Sequence, residues 1–145
     1  MPPEEKVNDD PSPRVVFDTS VLVSGIVHAG KSKLLIDAVL EEKIALVVSM
    51  PVIQEFKRVI ARDKFRLSKE QQDTIVNFVL RVGNVVRVKS SFEVFREDPS
   101  DDIILRTAYD GKADYIVSGD DHLLSLKEFR GTKIVTVADM LEILS

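Results

Sequence analysis

The sequence predicts one α/β domain of three layers, with helices on both faces of a parallel sheet. Three observations carry that prediction. From residue 14 onward, β-branched runs of strand length alternate with stretches of helical periodicity. Several of those runs are apolar throughout their cores, as strands covered on both faces are. The chain has 145 residues, 44% of them hydrophobic and 30% charged, which suits a single core.

In chain order, residues 1–13, MPPEEKVNDDPSP, hold four of the six prolines and little apolar mass, and are expected to form a disordered tail. The domain is expected over 14–145. The strand runs are RVVFD (14–18), IALVVS (44–49), NVVRV (84–88), DYIVSG (114–119) and KIVTV (133–137). The third is the most mixed and reads as an edge strand. Between them, Ser32 precedes the helical stripe Leu34, Leu35, Ala38 and Val39, and is expected to cap it. Ser49 and Pro51 open a helix with Ile53, Phe56, Val59 and Ile60 inward. Ser68 and Gln71 form a capping box ahead of Ile75, Phe78, Val79 and Val82. Ser100 is expected to cap a helix with Ile104, Leu105 and Ala108 on one face, and a last short helix spans Met140 to Leu144. There are no internal repeats.

Composition excludes several classes of function. With no Cys there is no disulfide scaffold, no thiolate zinc site and no thiol nucleophile. The N-terminus lacks the apolar core of a signal peptide, and no run approaches a membrane span, so a cytoplasmic protein without membrane contact is the default expectation. The net charge of −4 argues against a surface that simply attracts nucleic acid, although Glu4, Glu5, Asp9 and Asp10 supply part of it.

Four carboxylates lie at or just past the carboxyl ends of strand runs, the edge where open parallel sheets keep their sites. Asp18 ends the first run. Glu55 lies in the first turns of the helix after the second, Asp101 begins the helix after the third, and Asp120 follows the fourth. A single acid in such a position is ordinarily a helix cap or a partner of the helix dipole. Four from separate units at one edge repel one another unless cations or protons offset the charge. Oxygen ligands suit Mg²⁺ or Mn²⁺. Asp102 remains a candidate beside Asp101, but Asp101 shares the face of Ile104, Leu105 and Ala108, whereas Asp102 sits about 100° round the helix. Asp98 is a weaker candidate on a loop.

The segments FDTSVLVSG (17–25), DPSDDIILRTA (98–108) and YIVSGDDHLL (115–124), together with Glu55, resemble the PIN domain, most of all its VapC-type toxin branch. The resemblance covers residues 14–145. It implies a Rossmann-like, five-stranded parallel sheet in the order 3-2-1-4-5, which sets Asp18 beside Asp120. It also implies Mg²⁺- or Mn²⁺-dependent ribonuclease activity, with Asp18, Glu55, Asp101 and Asp120 as the acidic quartet. Ser20 falls where the family carries a supporting polar residue, and Ser118 and His122 are further supporting candidates. His122 departs from the pattern, since many members have Asp there. The implied partners are RNA, a small antitoxin protein and a second copy of the chain. A non-catalytic RNA- or protein-binding module and a structure-specific DNA nuclease are the alternatives.

Residues 25–32, GIVHAGKS, satisfy a phosphate-loop pattern, but no strand ends immediately before Gly25. FDTSV lacks the second Asp of a dehalogenase-type nucleophile motif, since Ser20 stands there. The basic stretch that includes Lys57, Arg58, Arg62 and Lys64 is either a solvated helix face or a path for an RNA backbone, with Arg58, Arg62 and Lys64 the path candidates.

Overall fold

Three consecutive side chains, Val15, Val16 and Phe17, are all buried. Successive strand side chains point to opposite faces, so both faces of this strand must be covered. In the computed structural model, which describes residues 11–145, it forms β1 (Arg14–Phe17). Residues 1–10 of the expected tail lie outside the described residues. β1 pairs in parallel with β2 (Ala45–Ser49) on one side and β4 (Tyr115–Val117) on the other. β3 (Asn84–Val86) lies outside β2, and β6 (Thr132–Val135) lies outside β4, both parallel. The five parallel strands therefore stand in the expected order.

One strand is additional. β5 (Glu128–Phe129) pairs antiparallel with β6 at the sheet edge. Its two residues are too few to show an alternating pattern. The connecting residues Arg130 and Gly131 both have positive φ, 50° and 92°, as a type I′ hairpin turn requires. The Arg130 guanidinium lies over the rings of Phe92, Tyr109 and Phe129, 4.4–5.2 Å from their centroids, and this packing offsets the unfavourable backbone.

The helices are α1 (Thr19–Val27), α2 (Lys31–Leu40), α3 (Met50–Ile60), α4 (Lys69–Val82), α5 (Pro99–Asp110), α6 (Asp121–Leu126) and α7 (Val137–Leu144), with a 3₁₀ turn at Asp63–Phe65. Ser49 caps α3 and the Ser68–Gln71 box caps α4, as expected. Elsewhere the starts differ. Gly30, not Ser32, is the N-cap of α2; its φ of 142° suits a residue without Cβ. Asp98, not Ser100, is the N-cap of α5, because Pro99 takes the first helical turn. α7 begins at Val137, behind a capping box of Thr136 and Asp139, so β6 is shorter than the β-branched run suggested. α1 carries no clear sequence signal: TSVLVSGIV is β-branched and interrupted by Gly, and only the cap at Asp18 marks it. Among the described residues no helix is long and apolar enough to cross a membrane.

Gly25 lies inside α1 where α1 meets α2. A Cβ there would stand 2.8 Å from Ile36 Cγ1 and 2.9 Å from the Ser32 carbonyl oxygen. The glycine sits inside a helix and serves helix packing, not a phosphate-binding loop, which argues against the phosphate-loop reading. Gly25→Ala is expected to destabilise the protein. The gain in helix propensity is about 1 kcal/mol, and overpacking against a backbone carbonyl costs about 1–3 kcal/mol. A urea midpoint equal to or above that of the parent would contradict this.

The sheet topology positions the site. From β1 the chain runs out through β2 to β3, then returns to β4 on the other side of β1. The carboxyl ends of β1 and β4 therefore border the crevice where the direction of winding reverses.

Candidate metal centre

Asp18 follows β1 and is buried, 6% exposed. Its Oδ1 accepts from the Val21 amide and the Ser20 hydroxyl, both at 2.9 Å, so it also caps α1. Its Oδ2 accepts from the Ser118 hydroxyl. Ser118, fully buried just past β4, also accepts from the Asp120 amide at 2.9 Å. One serine thus ties the ends of two neighbouring strands and sets the start of α6. Asp120 caps α6, with Oδ1 accepting from the His122 amide at 2.7 Å.

Asp101 lies in the first turn of α5 and is 7% exposed. Its Oδ2 is buried and has no hydrogen-bond partner. Burial, then the charges of Asp120 and Asp98, push its carboxyl up from 3.8 to about 7, and His122 opposes the shift. His122 is exposed, with Nδ1 3.9 Å from Asp101 Oδ2 and 4.0 Å from Asp120 Oδ1. Its ring stacks on Phe95, centroids 5.9 Å apart. One donor atom from each of Asp98, Asp101, Asp120 and His122 falls within 4.8 Å of all the others.

This set differs from the expected quartet. Asp101 and Asp120 are common to both. Asp98 joins because, as the N-cap of α5, it stands one turn before Asp101. His122 joins because α6 starts at the crevice, so it is both a helix-start residue and a neighbour of the acids. Asp18 lines the same cleft but is already engaged by three donors. Glu55 lines the cleft from α3, with Oε1 held by the Arg58 guanidinium. A hydrogen bond of 2.8 Å between the buried hydroxyls of Ser49 and Thr107 ties the start of α3 to α5.

Asp102 stands apart from this group. It is 2% exposed and does not line the cleft. Its Oδ1 accepts from the amides of Val94 and Phe95, at 2.9 and 3.0 Å, and so fixes the loop that presents Phe95 to His122. The basic candidates also separate: Arg58 turns onto Glu55, whereas Arg62 and Lys64 line an adjoining cleft.

The residues fit a divalent cation. Three carboxylates and one imidazole converge, and the unpartnered buried Oδ2 of Asp101 lacks the donor or cation that such an atom requires. Carboxylate-rich sites suit Mg²⁺ and Mn²⁺, and the imidazole nitrogen favours Mn²⁺ of the two.

Comparison with known proteins agrees with this architecture. A family profile described as PIN domain matches residues 14–122. No match is found among curated proteins. Among solved structures, the chain is similar to VapBC2 of Rickettsia felis bound to a DNA fragment from its promoter. The TM-score is 0.58 at 11% identity, covering 85% of this chain and 98% of that one. It is also similar to PAE2754 of Pyrobaculum aerophilum, with a TM-score of 0.56 at 17% identity, covering 99% of this chain and 98% of the other. At such identities the likeness is one of fold.

Proposed function

The chain belongs to the PIN domain family, and from that membership we propose that it is a Mg²⁺- or Mn²⁺-dependent ribonuclease hydrolysing RNA phosphodiester bonds. PIN domains are generally metal-dependent nucleases, and the observation that carries the reading here is the unpartnered, buried Asp101 Oδ2 among Asp98, Asp120 and His122. Asp98, Asp101, Asp120 and His122 would hold the cation, which when bound polarises a phosphate and lowers the pKa of water. Asp18 and Ser118 act behind them: Ser118 joins the Asp18 carboxylate to the Asp120 amide and so holds Asp120 to the end of β1. Glu55, restrained by Arg58, contributes negative charge on the α3 side of the cleft. Residues 14–145 act as one domain in this reading. Its biological partners would be a small antitoxin protein, as the VapBC2 complex suggests, and a second copy of the chain.

The direct test is cleavage of fluorescent RNAs with Mn²⁺, Mg²⁺ or EDTA. Cleavage with either metal and none with EDTA is the expected result. A folded, metal-supplied protein that binds RNA without cutting it would instead favour the binding-module alternative, and preferential cutting of DNA would favour the DNA nuclease.

Metal affinity should depend on pH. With its pKa at about 7, Asp101 retains a proton below neutrality, and metal must displace it. Mn²⁺ affinity is therefore expected to fall as pH drops below about 7, approaching about tenfold per unit for one displaced proton. Titration calorimetry at pH 5.5, 6.5 and 7.5 checks this, and a flat series would contradict the role given to Asp101.

A further inference from the structure

An acidic cleft repels the phosphates of its own substrate, so RNA bound there needs cations nearby. Beside the acidic cleft, and sharing Thr19, Ser20 and Glu55 with it, a second cleft of about 540 Å³ is lined from α1, α3 and the 3₁₀ turn. Its volume lies within the range of about 300–1,000 Å³ usual for ligand sites.

Its surface combines three kinds of group. Phe65 and His28 lie with ring centroids 5.7 Å apart and planes tilted by 43°, and Val23 and Val59 line the same cleft. Arg62 and Lys64 supply positive charge, with Lys64 Nζ 5.1 Å from the Phe65 centroid. Ser20 and Ser24 supply hydroxyls. Both cations are exposed and belong to the 3₁₀ turn or its cap, off the solvated face of α3. Phe65 is partly buried against the core, so its ring is held in advance of any ligand.

Aromatic rings, cations and hydroxyls beside a phosphodiester site match the base, phosphate and ribose of a nucleotide. We propose that the second cleft seats the nucleotide next to the scissile phosphate of single-stranded RNA, its base on Phe65 and His28 and its phosphate on Arg62 and Lys64. The proposal rests on the ribonuclease reading and adds a specificity-determining subsite to it.

The test compares the parent with Phe65→Ala, Phe65→Tyr, His28→Ala and the double variant Arg62→Ala/Lys64→Ala. Binding of a labelled single-stranded RNA is followed by anisotropy in EDTA, and cleavage of the same RNA with Mn²⁺ gives kcat and KM. Phe65→Ala is expected to weaken binding and raise KM about tenfold, the scale of one lost stacking contact, with kcat little changed. Phe65→Tyr should restore both. His28→Ala, at an exposed position, should act in the same direction without affecting the core. The double variant should bind more weakly and lose part of its salt dependence.

A folded Phe65→Ala protein with the parent's RNA binding and KM would overturn the subsite. If the parent still cuts RNA in a metal-dependent way, the ribonuclease reading survives that result. RNA binding through Phe65 without any cleavage would end the ribonuclease reading and, with no scissile phosphate beside it, the subsite as proposed, leaving the cleft an RNA-binding surface. Neither binding nor cleavage by the parent would end both, and tighter binding of DNA than of RNA of the same sequence would remove RNA as the occupant.

Discussion

Asp101→Asn is expected to reduce metal-dependent RNA cleavage about a thousandfold, corresponding to about 4 kcal/mol of transition-state stabilisation. The variant keeps the shape of the side chain and removes the charge at a buried oxygen that lacks a partner. The same substitution should stabilise the metal-free fold at neutral pH. In the native protein the carboxyl titrates at about 7, against 3.8 for an ordinary one. Between those values the native state binds more protons than the unfolded state, so stability falls as pH rises through the window and levels off above it. Asn carries no such penalty. Urea unfolding in EDTA should therefore give a variant-minus-parent difference that grows from pH 4 to about 7 and then stays constant. Parallel pH profiles would refute the electrostatic account, whereas full activity in the variant would remove Asp101 from the site.

Ser118→Ala is expected to have the next largest effect, on stability and metal affinity together. The hydroxyl is buried, donates to Asp18 Oδ2 and accepts from the Asp120 amide. Its removal leaves a buried carboxylate oxygen and an amide without those partners, at a cost of about 1–3 kcal/mol. Asp120 then loses its tether to β1. Removing such an outer partner typically weakens metal binding about 10–100-fold. Activity should recover in part at saturating Mn²⁺, because the ligands themselves remain. An unchanged Mn²⁺ midpoint would mean that Ser118 serves the fold alone.

Much of the fold is legible in the sequence, because strand and helix identity rest on local chemistry. Val15–Phe17, Leu46–Val48 and Ile116–Val117 are buried on both faces and read directly as apolar β runs. The caps at Ser49 and Ser68 are legible because each needs only a hydroxyl and the next turn of backbone. α1 is not, because β-branched residues around a glycine disfavour a helix that packing onto α2 then stabilises.

The site divides along the same line. Asp101 was expected to face inward with Ile104, Leu105 and Ala108, but Asp102 is buried as well, so the helix period alone does not separate the two acids. The sequence by itself determined that α/β order, the caps that open α3 and α4, and the gathering of acids at one sheet edge, since each depends on periodicity or on residues a few positions apart. Only the tertiary structure decided that Asp102 holds the loop at 94–95, that Arg58 turns onto Glu55, and that Asp98 and His122 join Asp101 and Asp120. Asp98 and Asp101 come to Asp120 and His122 only when the end of β4 meets the first turn of α5, whereas the Arg58–Glu55 and Asp102 contacts are local in sequence and are selected by how the surrounding fold orients those side chains.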